Sequence, residues 1–339
     1  MYDFAGKAQN SGRRGRQAMS TGLLPFPEAA QPGGGPQPDW QRQLGEWRGL
    51  IAACEQKPGR KRVHALRVST LWLQAELEYW VPAGKAGNPT TRAVQRWSRQ
   101  AKKLRRMLGP VRAADVSAQK LERLGETVAK GGPDAQCGDK CRRQLKRVEE
   151  RYSEQRRRAA KRLLTELEAR RARLNRCSME LESALAEHPA SRSAEVVRRE
   201  IVGLVTEFAE LNGETLHLFR KRIKTARYLA DVCAAADPVA CRDAAILGRM
   251  QVAVGEWHDW DVLAARLSGS KGKRDGELPE LLETLAARSL KKALKVCGRM
   301  TERLVRHGMT EETAEPPAIP KKPVRRAEPV AAQRDRQRA

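Results

Sequence analysis

At 339 residues the chain has room for one large helical domain or two small ones, and its formal net charge of +25 calls for a polyanionic partner, since self-repulsion on that scale disfavours a compact state. Nucleic acid, polyphosphate and an anionic membrane surface all qualify. Aromatics at 4% argue against a base-stacking platform for single strands, and no apolar run approaches the roughly 18 residues of a membrane span. The stretches 1–38 and 309–339 contribute +2 each, so +21 belongs to the part between them. No apolar stretch able to serve as a signal peptide follows Asp3 and Lys7, so a cytoplasmic protein is expected. The seven cysteines are scattered and odd in number, which favours reduced thiols. Cys137-x-x-x-Cys141 has loose metal-ligand spacing without a second ligand pair.

In chain order, 1–38 reads as disordered, rich in glycine and proline with little apolar periodicity. A helix over 39–55 carries Trp40, Leu44, Trp47, Leu50 and Ile51 and ends before Pro58-Gly59. A second helix contains His64-Ala65-Leu66-Arg67 and runs to Trp80. A third runs from Thr90 or Thr91 to Leu108, with Val94, Trp97, Ala101 and Leu104 on one side. Its other side carries Arg92, Arg96, Arg99, Lys103 and Arg106, with no acid between Thr91 and Leu108. Gly109-Pro110 is then expected to turn the chain into a separate helix over 111–124. Residues 139–187 form a long helical stretch, as one helix or two. Acids and bases alternate along most of it, as expected of solvated i,i+4 pairing.

His188-Pro189 divides the chain, giving a first half of about 39–190 and a second of about 191–308. The second half opens with a helix from a Ser193 N-cap to Leu211. Next comes His217-Leu218-Phe219-Arg220-Lys221-Arg222-Ile223-Lys224-Thr225-Ala226-Arg227. At 100° per residue, His217, Arg220, Lys221, Lys224 and Arg227 share one face, and Phe219, Ile223 and Ala226 the other. Like charges at this spacing repel, and no Asp or Glu intervenes between Glu214 and Asp231. Such a stripe suits a phosphate-bearing chain, to which Arg offers a planar fork and Lys a compact charge. After Pro238 a helix carries Ile246, Leu247, Met250 and Val254 and leads through His258-Asp259-Trp260-Asp261 to Leu267. A last helix spans 278–306, and the basic tail 309–339 reads as disordered. No segment shows strand alternation, so the class is all-α.

The organising stretch occurs twice. In the first copy Lys57, Arg60, His64 and Arg67 point one way, but Leu71 and Gln74 stand where the second has Lys224 and Arg227. Each copy is followed by a Gly-x-x-[Arg/His]-x-x-Asp-Val segment, Gly109 to Val116 and Gly255 to Val262. A two-part signature recurring in order indicates internal duplication.

Taken together, His-x-x-Arg-x-x-x-Lys-x-x-Arg and Gly-x-x-His-Asp-x-Asp-Val resemble the CHAD domain, over roughly 40–308. The resemblance implies two antiparallel four-helix bundles related by pseudo-two-fold symmetry. It also implies a basic groove or pore between them that binds inorganic polyphosphate. The cations assigned to it are Lys57, Arg60, Arg67, Arg92, Arg96, Arg99, Lys103, Arg106, Arg220, Lys221, Lys224 and Arg227, with His64 and His217. Asp115, Asp259, Asp261 and His258 are read as structural support, the acids fixing stripe cations from beneath.

The function expected is non-catalytic binding of polyphosphate in the cytoplasm, at polyphosphate granules and alongside granule-associated proteins, with no cofactor, no metal and no membrane. Nucleic-acid binding is the alternative, unsupported by any helix-turn-helix or zinc-finger signature. A metal-dependent polyphosphate hydrolase is the second. His258-Asp259 invites it, but that chemistry needs several more His or Asp ligands and the chain has only five histidines, and the Glu-x-Glu-x-Lys pattern of the CYTH domain, in which the family's triphosphatase activity resides, is absent.

Overall fold

The computed structural model describes residues 40–81, 88–130, 138–186, 194–208, 210–234, 237–268 and 276–309. Among them are eight helices and no strand: α1 (Trp40–Gln56), α2 (Arg60–Trp80), α3 (Pro89–Ala129), α4 (Asp139–Ala186), α5 (Ala194–Thr206), α6 (Leu216–Cys233), α7 (Pro238–Ser268) and α8 (Glu277–Met309). The readings of Ser193, His188-Pro189, Cys137 and both terminal stretches lie outside the described residues.

Helices α1 to α4 pack in a ring, as do α5 to α8, and the two bundles meet through α2 on α6, α3 on α7 and α4 on α8. In each of these three contacts a helix meets its own counterpart, as a pseudo-two-fold axis requires. The first core is built on periodic apolar stripes such as Leu44, Trp47, Ile51 and Cys54 of α1. Trp47 lies 5.5 Å from Trp97 of α3, and its indole N–H donates to Thr70 Oγ1 at 2.9 Å, satisfying a buried donor. The second core gathers Phe219, Ile223 and Ala226 of α6 with Met250, Val254 and Trp257 of α7 and Ala293 and Cys297 of α8. A third core was not foreseen. The far ends of α3, α4, α7 and α8 join in a cluster of Leu121, Leu124, Leu145, Tyr152, Leu263 and Leu282. Burial of this shared apolar surface holds the halves together. There the Gly138 N–H, just before α4, donates to the Glu277 carboxylate of α8 at 3.0 Å.

Two boundaries differ from expectation. Gly109-Pro110 breaks nothing: α3 runs for 41 residues with Pro110 inside it. Proline removes one N–H donor and crowds the preceding turn, a cost of about 3 kcal/mol. Fully buried Leu104, Leu108 and Val111 on either side offset that cost through packing. The second-half entry helix stops at Thr206, short of Leu211. The chain then turns on Asn212, whose side chain accepts from the N–H groups of Glu214 and Thr215 at 3.0 Å. The stretch 139–187 proves to be one helix of 48 residues.

One cysteine also departs from expectation. Cys54, Cys177, Cys233, Cys241 and Cys297 are free. Cys141, however, is disulfide-bonded. An odd total of seven is compatible with one bridge, which the parity reading overlooked.

Candidate functional site

Where α2 and α3 of the first half face α6 and α7 of the second, cations crowd together. Arg67 of α2 donates to the Arg105 carbonyl of α3 at 2.8 Å. Arg67 also lies near Arg112 and Arg220, whose charges, after burial, pull its pKa down. Arg220 of α6 is likewise lowered by burial, against the pull of Asp259. Arginine keeps its charge regardless, so these shifts record charges held out of water. Lysine does not. Lys224, pressed by burial first and then by Arg220 and Arg67, falls to about 7. Its nearby acid is Asp259, which burial raises despite Lys120, Arg220 and Arg112 around it. The Nε atoms of Arg105 and Arg220 are buried without a hydrogen-bond partner among the described residues. Donors left unmatched at a desolvated site favour an incoming anion.

The histidines are not equivalent. His64 of α2 is held below its usual pKa by burial, then by Arg112, Arg67 and Arg60, so it is neutral at pH 7. His258 of α7 falls to about 4 through burial and then the charges of Arg220, His217 and Lys224. His217 of α6 sits 3.4 Å from the Asp261 carboxylate, with its ring 5.0 Å from that of His258 and 4.8 Å from that of Trp257. One ligand atom from each of His217, His258 and Asp261 lies within 4.8 Å of the others. Two imidazoles and a carboxylate can hold a divalent transition metal. Sequence spacing hid this set, because His217 joins it from another helix.

The support acids sort differently from one another. Asp115, 5% exposed, accepts from Arg156 Nε of α4 at 2.9 Å, and Arg156 also donates to the Pro58 carbonyl. Asp115 thus binds α3 to α4. Asp259 lies among the central cations, and Asp115 also bears on Arg112 from its place between α3 and α4.

Of the cations expected here, Arg67, Arg220 and Lys224 converge, and Arg60 lies near His64 and Arg112. Lys57 and Lys221 are exposed at the margins. Arg227 is engaged with buried Asp231 at 3.3 Å within α6. The third-helix stripe does not join them. Arg92, Arg96, Arg99, Lys103 and Arg106 run along the α4 side of α3, where Arg96 meets Glu180 of α4 at 3.7 Å and Lys103 and Arg106 line an open groove against α4. At 100° per residue that face is roughly opposite the one carrying Arg67's neighbours. The α3 cations of the central cluster are instead Arg105, Arg112 and Lys120, spaced i, i+7, i+15 along one face. That stripe is visible only in a helix that continues through Pro110, so the expected break concealed it. Lys120 is held 4.8 Å over the Trp260 ring, a cation–π contact from α7. Tyr228, also unforeseen, lies near Arg67 and Arg105 with its phenol raised by burial. A Cβ at Gly109 or Gly255, the leading glycines of the two motif copies, would meet nothing within 4 Å.

A family model described as the CHAD domain matches residues 40–268. Among solved structures, "PptA from Streptomyces chartreusis" aligns with a TM-score of 0.52 at 13% identity, covering 80% of this chain and 100% of that one. No curated protein sequence matches the chain.

Proposed function

This chain belongs to the CHAD-domain family, and from that premise we propose that it binds inorganic polyphosphate, without cleaving it, in the cluster between its two halves. The observation that carries this reading is the convergence of Arg67, Arg105, Arg112, Arg220 and Lys224 from three helices, answered by few acids: Asp259 near Arg112, Arg220 and Lys224, Asp115 near Arg112 and Glu78 near Arg105. A polymer carrying a negative charge at every unit relieves this repulsion and meets the unmatched guanidinium donors. Placement in the cytoplasm at polyphosphate granules, with proteins of that compartment as neighbours, belongs to the same proposal. Among the described residues no helix is long and apolar enough to cross a membrane. Nucleic acid suits the cluster less well. Trp257 is buried and Trp260 is covered by Lys120, which leaves neither free to stack on bases.

The test is a panel of long-chain polyphosphate, duplex DNA, RNA and heparin titrated at 50 and 200 mM salt. Polyphosphate is expected to displace DNA at far lower charge equivalents than the reverse. With on the order of six phosphates neutralised, affinity falls about 10³-fold between the two salts, by analogy with counterion release. Equal displacement in both directions, or a salt-insensitive affinity, contradicts the reading.

A second reading has one observation in its favour: the His217, His258 and Asp261 set could hold a metal beside a bound phosphate chain and polarise it for hydrolysis. Phosphate release from polyphosphate with zinc, manganese or magnesium, lost in His258→Gln, would establish that reading over simple binding.

A further inference from the structure

We propose that the groove between α3 and α4, on the opposite side of α3 from the central cluster, is a second binding site for a single phosphate chain. The ligand's chemical class rests on the reading above; the site rests on its own geometry.

The groove has a volume of about 840 Å³. Along its α4 wall stand Arg151, Gln155, Arg158, Arg162, Glu166 and Arg170, at steps of three and four residues, so all lie on one stripe of the helix. On the other wall α3 presents Lys103 and Arg106, and α7 adds Arg266. Small side chains keep the floor low: Pro110, Ala113, Ala114 and Ala159 line it. Glu154 already occupies Arg158, at 2.8 Å. The remaining cations face the groove with Glu166 as the acid among its lining residues.

Length and charge choose the occupant. From Arg151 to Arg170 the α4 wall extends about 28 Å at 1.5 Å per residue. Seven cations line the groove against one acid, Glu166, which suits a polyanion laid along it. Tyr152, the one aromatic in the lining, is 3% exposed and cannot stack on bases. A chain of charged units without bases fits both facts.

The test is titration calorimetry of the full chain with polyphosphate of about ten units, the span set by the wall length, in four proteins. These are the unaltered chain, a groove triple (Arg151, Arg162 and Arg170 to Gln) and a central triple (Arg67, Arg220 and Lys224 to Gln). The fourth is a scattered triple (Arg176, Lys295 and Arg303 to Gln) that removes the same charge from exposed positions of α4 and α8. Gln keeps helix propensity near that of Arg and Lys, and circular dichroism checks folding. The expected stoichiometry is two chains per protein for the unaltered and scattered forms, and one for each of the other triples. One chain per protein, lost in the central triple and untouched in the groove triple, overturns the second site and leaves the central one standing. Binding lost in the groove triple but not the central triple supports the second site and overturns the central assignment. Equal losses in the groove and scattered triples overturn the proposal, as does tighter binding of duplex DNA than of polyphosphate by the central triple.

Discussion

The central cluster and the α3–α4 groove are both strongly basic, but their cations are held differently. In the cluster, cations from both halves are partly buried and act on one another, to the point that Lys224 falls to about 7. In the groove they are mostly exposed, and come chiefly from two helices of one half. Exposed charges are screened within about 8 Å at physiological salt, so each gains little from a ligand. Half-buried ones carry a desolvation cost in the free protein, which an anion relieves. The difference shows that counting cations does not rank sites; their burial and unmatched donors do.

The largest separation between the regions is expected from the central triple, Arg67, Arg220 and Lys224 to Gln. Charge-assisted contacts are worth roughly 1.5–3 kcal/mol each, so affinity measured by calorimetry should fall 10³-fold or more. The groove triple should cost the tight site little. Comparable losses would dissolve the distinction.

Next in size is a stability effect outside either site. Arg156→Gln strands the buried Asp115 carboxylate and should destabilise the fold by about 2 kcal/mol in urea unfolding, with polyphosphate affinity preserved under folding conditions. A loss of affinity at full folding would mean that Asp115 supports the central cluster after all.

A smaller effect distinguishes the regions by pH. Lys224 is largely uncharged in the free protein above pH 7, and a bound polyanion would restore its proton. Affinity at the central site should therefore fall on the order of tenfold from pH 7 to 9, and Lys224→Gln should flatten the profile. Stability has the opposite slope. The unfolded chain holds the lysine proton up to its ordinary range near 10.5 while the folded chain releases it near 7. Between these values the unfolded state binds more protons, and this group's contribution to stability rises with pH. A flat affinity profile in the unaltered protein would place the ligand away from Lys224.

The smallest binding effect is expected at Arg227. Its charge is engaged with Asp231, itself raised to about 6 by burial against the pull of Arg227. Arg227→Gln should change affinity less than about threefold, because its charge is paired with Asp231 within the protein. It should push the Asp231 pKa higher still. A carboxyl whose folded pKa is raised contributes stability that is lost as pH rises through that value, so thermal unfolding of the variant should worsen from pH 5 to 8. A large affinity loss would return Arg227 to the phosphate-binding face.

Much of this was legible in the sequence. The apolar periods located every helix, and the twofold recurrence of His-x-x-Arg and Gly-x-x-[Arg/His]-x-x-Asp-Val announced the symmetry. The acid-free stripe of α6 led to Arg220 and Lys224. Failures came where local signals met tertiary packing. Gly109-Pro110 reads as a breaker in isolation, and only burial on both sides of it sustains α3; treating it as a break severed Arg105 from Arg112 and Lys120. The α3 stripe from Arg92 to Lys103 was a true stripe, but a single helix cannot tell which neighbour its charged face will meet. The engagement of Arg227 by Asp231, and the joining of His217 to His258 and Asp261, likewise depend on side-chain geometry that periodicity does not carry.

Lysine acetylation read by mass spectrometry tests, residue by residue, whether a phosphate chain lies among Arg67, Arg112, Arg220 and Lys224. The protein would be treated briefly with an acetylating reagent, free and with sub-stoichiometric polyphosphate, so that the tighter site fills first. Lys224 and Lys120 should be protected while Lys140 and Lys295, exposed on α4 and α8, react at their free rates. Uniform slowing of all four, or unchanged acetylation of Lys224, would contradict that placement.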